Sequence, residues 1–331
     1  IGTSFVKIGL FDTDANPKED YQIKFEHWMT IKSDGTYIFD AETSAELIER
    51  GLDELLNRAS NFEILAVSVD TMASTILGLD QNNNPLTPVY TYADTRSYKE
   101  LSDLKSKINQ KKIYDETGCP MHTSYIPARI LWFRRTNSEL YKKVGLWTDF
   151  SNYLYRRWIK NKNIPISYSV ASWTGIFDRK KLKWNESILN SINLESSYLP
   201  ELKSYDFSMQ GLSETFNKRW KNLNDSVFFL PVGDGVSSNL GVGCNTEGKI
   251  ALSIGTTGAL RVLTKKTNLK IPQGLWAYKL STENSLIGGA FSEGGNVGLW
   301  LKKLMNMQEN SEEIDNIEFN KELEQLLLRS R

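Results

Sequence analysis

Ile1-Gly2-Thr3-Ser4 opens the chain, and Ile254-Gly255-Thr256-Thr257-Gly258 repeats the pattern in its second half, each time running into an apolar, strand-like stretch. Glycine lets a backbone approach a bulky anion closely, successive N–H groups of a tight turn form an anion nest, and Ser/Thr hydroxyls donate to phosphate oxygens. One such turn alone reads as an ordinary hairpin. Two, each beside a strand, point to two domains facing one nucleotide. Neither is a Walker loop, because no G-x-x-x-x-G-K-[ST] occurs in the chain. The Rossmann fingerprint is missing too, since Gly241-Val242-Gly243 is followed by Thr246 where the third glycine should stand.

Outward from the first turn, three strands are expected at Phe5 to Asp12, Gln22 to Ile31 and Thr36 to Asp40, separated by turn clusters at 12–17 and Ser33-Asp34-Gly35. Thr43 or Ser44 is expected to cap an amphipathic helix carrying Leu47, Ile48, Leu52, Leu55 and Leu56 at helical spacing. Ile64 to Val69 is a continuous apolar run of the kind found in buried parallel strands. Three antiparallel strands, a helix and a further strand predict the opening of a ribonuclease H-like domain.

From Asp94 to Leu223 the pattern is mostly helical, with Trp132, Trp147, Tyr153, Trp158, Trp173 and Trp184 expected as core and cleft wall. Around Asn224 it restarts. Val227 to Val232 reads as a strand, Ser237 to Val242 as a short helix, and Lys249 to Ile254 with Ala259 to Leu263 as a hairpin. Strands at Leu275 to Leu280 and Leu286 to Ala290 and a helix at Gly294 to Met305 follow. The expected fold class is therefore α/β, with duplicated ribonuclease H-like domains flanking a cleft. Residues 1–224 form the first, with a helical insert at about 94–223, and residues 225–331 begin a second that is incomplete.

Composition agrees with a globular chain: 331 residues, 40% hydrophobic and 11% aromatic, are enough for two cores. Forty basic residues balance forty acidic ones and are scattered along the chain, which argues against nucleic acid as a partner. Cys119 and Cys244 lack C-x-x-C spacing, so they read as small buried hydrophobes in a reducing cytoplasm rather than as a disulfide or zinc framework. No run of eighteen apolar residues and no signal-peptide core occurs, so no membrane association is expected. The first residue is Ile, and the stretch from Glu309 to Arg331 is charged and helical in pattern with nothing after it to cover its apolar face. Truncation at both ends is the expectation.

Asp234 lies in Pro231-Val232-Gly233-Asp234-Gly235-Val236-Ser237-Ser238-Asn239, past an apolar strand and before a helix, where ligands sit in α/β sheets. Its flanking glycines are expected to leave room for substrate, and the helix to offer unpaired N–H groups beside it. A capping aspartate in a turn is the competing reading. With the glycine-threonine turns in the same chain, a base for phosphoryl transfer is preferred, since that chemistry asks for a carboxylate to take the acceptor's proton and donors around the moving phosphoryl group.

These residues resemble the FGGY carbohydrate kinases, of the sugar kinase and actin-like ATPase fold, and among them the gluconokinases. Ile1 to Lys7 is similar to the first phosphate motif D-x-G-T-[ST]-x-x-[KR] without its leading aspartate. Tyr92-Ala93-Asp94-Thr95-Arg96 resembles W-x-D-x-R with Tyr for Trp, and Thr117 to His122 resembles T-G-x-P-x-H. Ser169 to Gly175 is similar to S-x-A-S-x-T-G; Asp234-Gly235-Val236 with Ser238 to Gly241 and the Gly255 to Gly258 turn resemble the base and second phosphate motif, and Gly288-Gly289-Ala290 with Gly294-Gly295-Asn296 extends the likeness.

The resemblance implies phosphorylation of a sugar or sugar acid by ATP with Mg²⁺, D-gluconate first, with Asp234 as general base. Gly2, Thr3, Ser4 and Lys7 from one domain and Gly255, Thr256, Thr257 and Gly258 from the other would hold phosphates. The acceptor would lie against Ala73, Ser74, Asp94, Arg96, His122, Asp234 and Gly235. Arg96 suits a carboxylate-bearing sugar, or else pairs structurally with Asp94; His122 donates to a sugar hydroxyl, or else is a buried, satisfied histidine. The family's magnesium-serving aspartate would precede Ile1, so no metal set is complete here, and Ala73-Ser74 stands where relatives carry Met-His. The chain as given is expected not to turn over. A xylulokinase-like or other sugar kinase, or a catalytically dead sugar-binding relative, is the alternative, and a homodimer is left open.

Overall fold

The computed structural model describes residues 1–254, 258–266 and 269–291. Two compact units divide the chain. The larger joins Ile1–Ala251 with Arg261–Gly289; of the smaller, the described residues are Leu252–Ile254, Gly258–Leu260, Ala290 and Phe291.

β1 (Phe5–Phe11) and β2 (Pro17–Glu26) pair antiparallel, from Phe5 opposite Glu26 to Phe11 opposite Pro17. Asp12 makes the turn, its Oδ1 accepting from the Asp14 and Asn16 N–H groups while Ala15 takes a left-handed φ of 63°. β2 therefore starts before the expected Gln22, since proline as first residue of a strand costs no ladder bond. It also ends earlier, because His27 turns inward: it is 5% exposed, its Nδ1 lies 2.8 Å from the Gly2 carbonyl and its Nε2 3.1 Å from Ser44 Oγ. β3 (Thr30–Ile31) and β4 (Tyr37–Phe39) then join Val89–Tyr90 in a small antiparallel sheet.

α1 (Ala41–Arg58) is capped by Asp40, whose side chain accepts from the Thr43 N–H at 2.8 Å. The expected cap at Thr43 or Ser44 is thus corrected: aspartate is the better acceptor at this position, and Ser44 is left on the buried face with Ala45, Ile48 and Leu55. Glu49 is also buried on that face. It is satisfied by Arg157 Nε (2.5 Å), Arg219 NH1 (2.9 Å) and Trp158 Nε1 (3.1 Å), which is how a carboxylate survives there.

β5 (Ala66–Val67) and β6 (Asp70–Thr71) run parallel to Val227–Phe229 and Val232–Gly233, with Ala66 opposite Val227 and Asp70 opposite Val232. The parallel pairing matches the expectation for 64–69. Its full burial does not, since Leu65 is 56% exposed and Val67 and Val69 are half-buried, the two faces alternating along the strand.

Two large apolar cores fill the larger unit. One gathers Val6, Phe39, Ile48, Trp158, Trp220 and Phe228 beneath the first strands and α1. The other packs Ile113, Ile130, Phe133, Trp147, Phe177 and Ile188 among the helices of the insert. Trp147, Tyr153, Trp158 and Trp184 are buried, whereas Trp132 and Trp173 keep part of their surface exposed. Cys119 is buried and donates to the Ser172 carbonyl at 3.1 Å; Cys244 is only half-buried. Ile250–Ile254 and Gly258–Thr264 are strands, and Trp276–Lys279 pairs antiparallel with Ser285–Phe291. The helix expected at 294–305 lies outside the described residues. Among the described residues, no helix is long and apolar enough to cross a membrane.

Candidate functional site

Three stretches of chain meet at one end of β6. The Ile1 amine donates to the Asp70 carbonyl (2.6 Å) and the Met72 N–H to the Ile1 carbonyl (2.9 Å), the bonding pattern of a parallel ladder centred on Thr71. On its other side β6 pairs with Val232–Gly233. The Gly2 turn and Asp234 therefore leave the carboxyl ends of neighbouring segments, with Asp70 between them.

Asp234 is the first residue of a helix, Asp234–Gly241, with Gly233 as N-cap. The helix expected at Ser237 starts three residues sooner, because an aspartate in the first turn is favoured by the helix dipole and can take a first-turn N–H. Protein surrounds Asp234 on most sides, yet the residue remains exposed at its open side. Burial, and next the Asp70 carboxylate, push its carboxyl up from 3.8 to about 6, against the Gly235 N–H, the Arg261 guanidinium and the Ile1 amine. The protein around the Asp70 carboxyl raises it as well, although the residue is exposed at its outer side, and Ile1 and Ser237 oppose the rise. Tyr92, noted in the sequence only as a replacement for tryptophan, lies close enough to the Thr3 side chain and to Asp234 for both to act on its hydroxyl, while burial raises its pKa.

The glycines flanking Asp234 make room for something other than substrate. A Cβ on Gly233 would stand 2.6 Å from Trp173 Nε1, and one on Gly235 would stand 3.0 Å from Trp173 Cζ2 and 3.3 Å from Arg261 Nε. The indole therefore stands where a side chain at either position would go, so both must remain glycine for it to pack there. Trp173 in turn stacks on Tyr278 at 4.0 Å, and Tyr278 shares a 2.7 Å hydrogen bond with Tyr125.

On the expected acceptor side, Ser74 is buried with a left-handed φ of 54°, and its hydroxyl donates to the Ser124 carbonyl. Arg129, on the helix Ile126–Thr136, donates through NH1 to the Ser74 carbonyl (2.8 Å) and through NH2 to that of Ser124 (2.9 Å). It is 3% exposed. Burial lowers it to about 10, with the Asp94 charge opposing. The sequence reading passed over Arg129, although an arginine inside the run Ile126-Pro127-Ala128-Arg129-Ile130 was the available signal. Ala73 is half-buried beside Ser74.

His122 is exposed, so the buried reading is set aside. Its Nδ1 accepts from the Ser124 N–H (3.1 Å), which puts the proton of the neutral ring on Nε2. Partial burial, Lys105 and Arg129 lower its pKa and keep it neutral. Arg96 grips Asp94 with Nε at 3.1 Å from both carboxylate oxygens and NH2 at 2.6 Å from Oδ2, while its guanidinium lies 4.5 Å above Trp132. Asp94 also accepts from the Tyr37 N–H at 3.2 Å. Two faces of this guanidinium are thus engaged within the chain.

On the phosphate side, the Gly2 N–H donates to the Phe5 carbonyl at 3.0 Å, so an anion nest in this turn would draw on Thr3 and Ser4. Thr3 is half-buried; Ser4 and Lys7 are exposed. Gly258 is packed on the ring of Phe291, 1.9 Å from where a Cβ would stand. Gly255, Thr256 and Thr257 lie outside the described residues. Among the described residues, no group of three or more His, Cys, Asp or Glu could hold a metal ion.

Strand ends and a Gly-Thr turn beside a carboxylate, in an α/β unit, are the architecture of the sugar kinase and actin-like ATPase fold. The solved gluconate kinase from Lactobacillus acidophilus shares it with a TM-score of 0.82 at 23% identity, over 91% of this chain and 60% of that one. The chain belongs to the FGGY family of carbohydrate kinases, whose N-terminal domain matches residues 1–241. It is 27% identical over 308 residues to gluconokinase of Bacillus subtilis (strain 168), covering 91% of this chain and 58% of that protein. It is 22% identical over 313 residues to xylulose kinase of Staphylococcus xylosus, covering 94% and 64%. The chain thus spans about three fifths of the length of the curated relatives it matches.

Proposed function

We propose that this chain is part of an ATP-dependent kinase that phosphorylates a hydroxyl of a sugar or sugar acid, D-gluconate to 6-phosphogluconate in the first place. The observation that carries the reading is Asp234, a carboxylate with raised proton affinity beside the Gly2 turn. A carboxylate tuned towards neutral pH is suited to take the acceptor's proton as its oxygen attacks the phosphoryl group. Gly2, Thr3, Ser4 and Lys7, with Gly255, Thr256, Thr257 and Gly258, are proposed to hold phosphates. Ala73, Ser74, Asp94, Arg96, Gly235 and His122, through its Nε2–H, are proposed to hold the acceptor. Residues 1–224 and those from 225 on are proposed as the two lobes, in the cytoplasm, with a homodimer left open.

Mg²⁺ is proposed to accompany ATP. Magnesium is commonly held by one or two carboxylates together with substrate phosphates. The described residues do not build a cage for it, and no step here is routed through it.

Gluconokinase and xylulose kinase relatives both favour a sugar acceptor, so a neutral ketose is the second reading. A coupled assay of ADP release by the full-length protein over a sugar panel separates them, and preference for D-xylulose over D-gluconate ends the gluconate reading. Asp234→Asn should lower kcat by about 10²–10⁴-fold. Retention of the parent rate would remove Asp234 as base, and no turnover by the parent would favour a sugar-binding relative.

A further inference from the structure

We infer that Asp70 is a positioning residue of this site, a second carboxylate set beside Asp234 by strand pairing and acting through it. The inference rests on the proposed function of Asp234 as base. Its geometric ground is the ladder at β6. Asp70 is opposite Val232, two residues before Asp234, and its own carbonyl is bonded by Ile1 on the other side. The end of β6 is thereby fixed from both flanks, and Asp70 cannot drift from the base without breaking one of them. Its charge acts on that of Asp234, while Ser237, one turn along the helix that Asp234 begins, counters the rise in its own proton affinity.

Among the described residues, the side chains facing Asp234 come from four places: Asp70 on β6, Arg261 on Gly258–Thr264, Tyr92, and Tyr278 on Trp276–Lys279, with the backbone nitrogen of Ile1 beside them. Asp70 is the one other carboxylate among these. Two neighbouring carboxylates resist joint ionisation. When Asp234 receives the acceptor's proton and becomes neutral, the repulsion from an ionised Asp70 is relieved, so the like charge favours the direction of transfer that the reaction needs. The proton goes from the acceptor hydroxyl to Asp234, and nothing is transferred to Asp70. A purely structural role for Asp70, by contrast, would be kept by asparagine and would leave the base unaffected.

The test compares Asp70→Asn, and Asp70→Ser as a second neutral replacement should the first not fold, with the parent in the full-length protein. kcat/KM is followed against pH with MgATP and D-gluconate or D-xylulose, whichever the parent uses. The acid limb should move to lower pH by roughly 0.5–1 unit, with kcat on the plateau down about three- to tenfold and KM for ATP unchanged. Asp70→Glu, which restores the charge, should return the limb towards its parent position. A limb that coincides with the parent's in a folded neutral variant overturns the inference. If the parent uses neither sugar, the fault lies with the proposed function. Titration of ¹³C-labelled aspartate carboxyls by NMR then reads Asp70 directly: the Asp234 midpoint must fall in the variant, and an unmoved midpoint overturns the inference independently of turnover.

Discussion

Asp234→Asn should stabilise the protein near neutral pH while slowing the proposed phosphoryl transfer. A carboxyl raised from 3.8 to about 6 is disfavoured as an anion in the fold. At ~1.4 kcal/mol per pH unit this amounts to about 3 kcal/mol at the limit. Asp234 is open to solvent on one side, and screening there leaves about 1–2 kcal/mol. The sign follows from proton counts. Between pH 4 and 6 the folded state holds more of the Asp234 proton than the unfolded chain, so this group's contribution to stability falls as pH rises through that window and stays low above it. Asparagine has no such penalty. Buried His27, whose pKa is lowered by burial, has the opposite slope, its contribution being lost as pH falls below the unfolded value of 6.5. Only the difference between variant and parent isolates Asp234. Urea melts at pH 4.0 and 7.5 should show that difference growing by about 1–2 kcal/mol in favour of the variant at the higher pH. A constant difference, or one that shrinks with pH, would refute the reasoning and with it the raised proton affinity on which the base assignment leans.

Three further outcomes are expected. Gly118→Ala should cost roughly 2–3 kcal/mol in a urea melt, because φ is +76° and the new Cβ would stand 2.0 Å from the Ala277 carbonyl oxygen, a backbone atom that cannot swing aside; a neutral substitution would contradict this packing. Arg129→Met should cost about 1–3 kcal/mol by taking the guanidinium donor from the Ser74 carbonyl and leaving the Ser124 carbonyl to the Ser74 hydroxyl, and should raise the acceptor KM in the full-length protein more than the ATP KM; equal effects on both would detach Arg129 from the acceptor side. Gly233→Ala should displace the Trp173 indole, read as a shift in tryptophan fluorescence, and lower kcat without a matching change in ATP affinity.

Much of the fold was legible because local patterns decided it. The Asp12 turn, the apolar spacing of α1 and the parallel character of the segment before Asp70 all follow from short-range chemistry. What escaped was decided by tertiary partners. Asp40 competed successfully with Thr43 and Ser44 as the cap, His27 left its strand for a place between Gly2 and Ser44, and Trp173 took the space its distant glycines vacate. In the site, the motif residues could be named from their spacing. Arg129, Asp70 and Tyr92 could not, since their importance lies in what packs beside them.

The indole of Trp173 gives the segment around Asp234 an address written elsewhere in the chain. Its ring leans on Tyr278, whose hydroxyl meets Tyr125, so the stance of Asp234 is relayed through a column of aromatic plates rooted in the helical insert. Reshaping that insert would therefore tug on Asp234 as well, and under the proposed function acceptor choice and proton transfer would evolve in step.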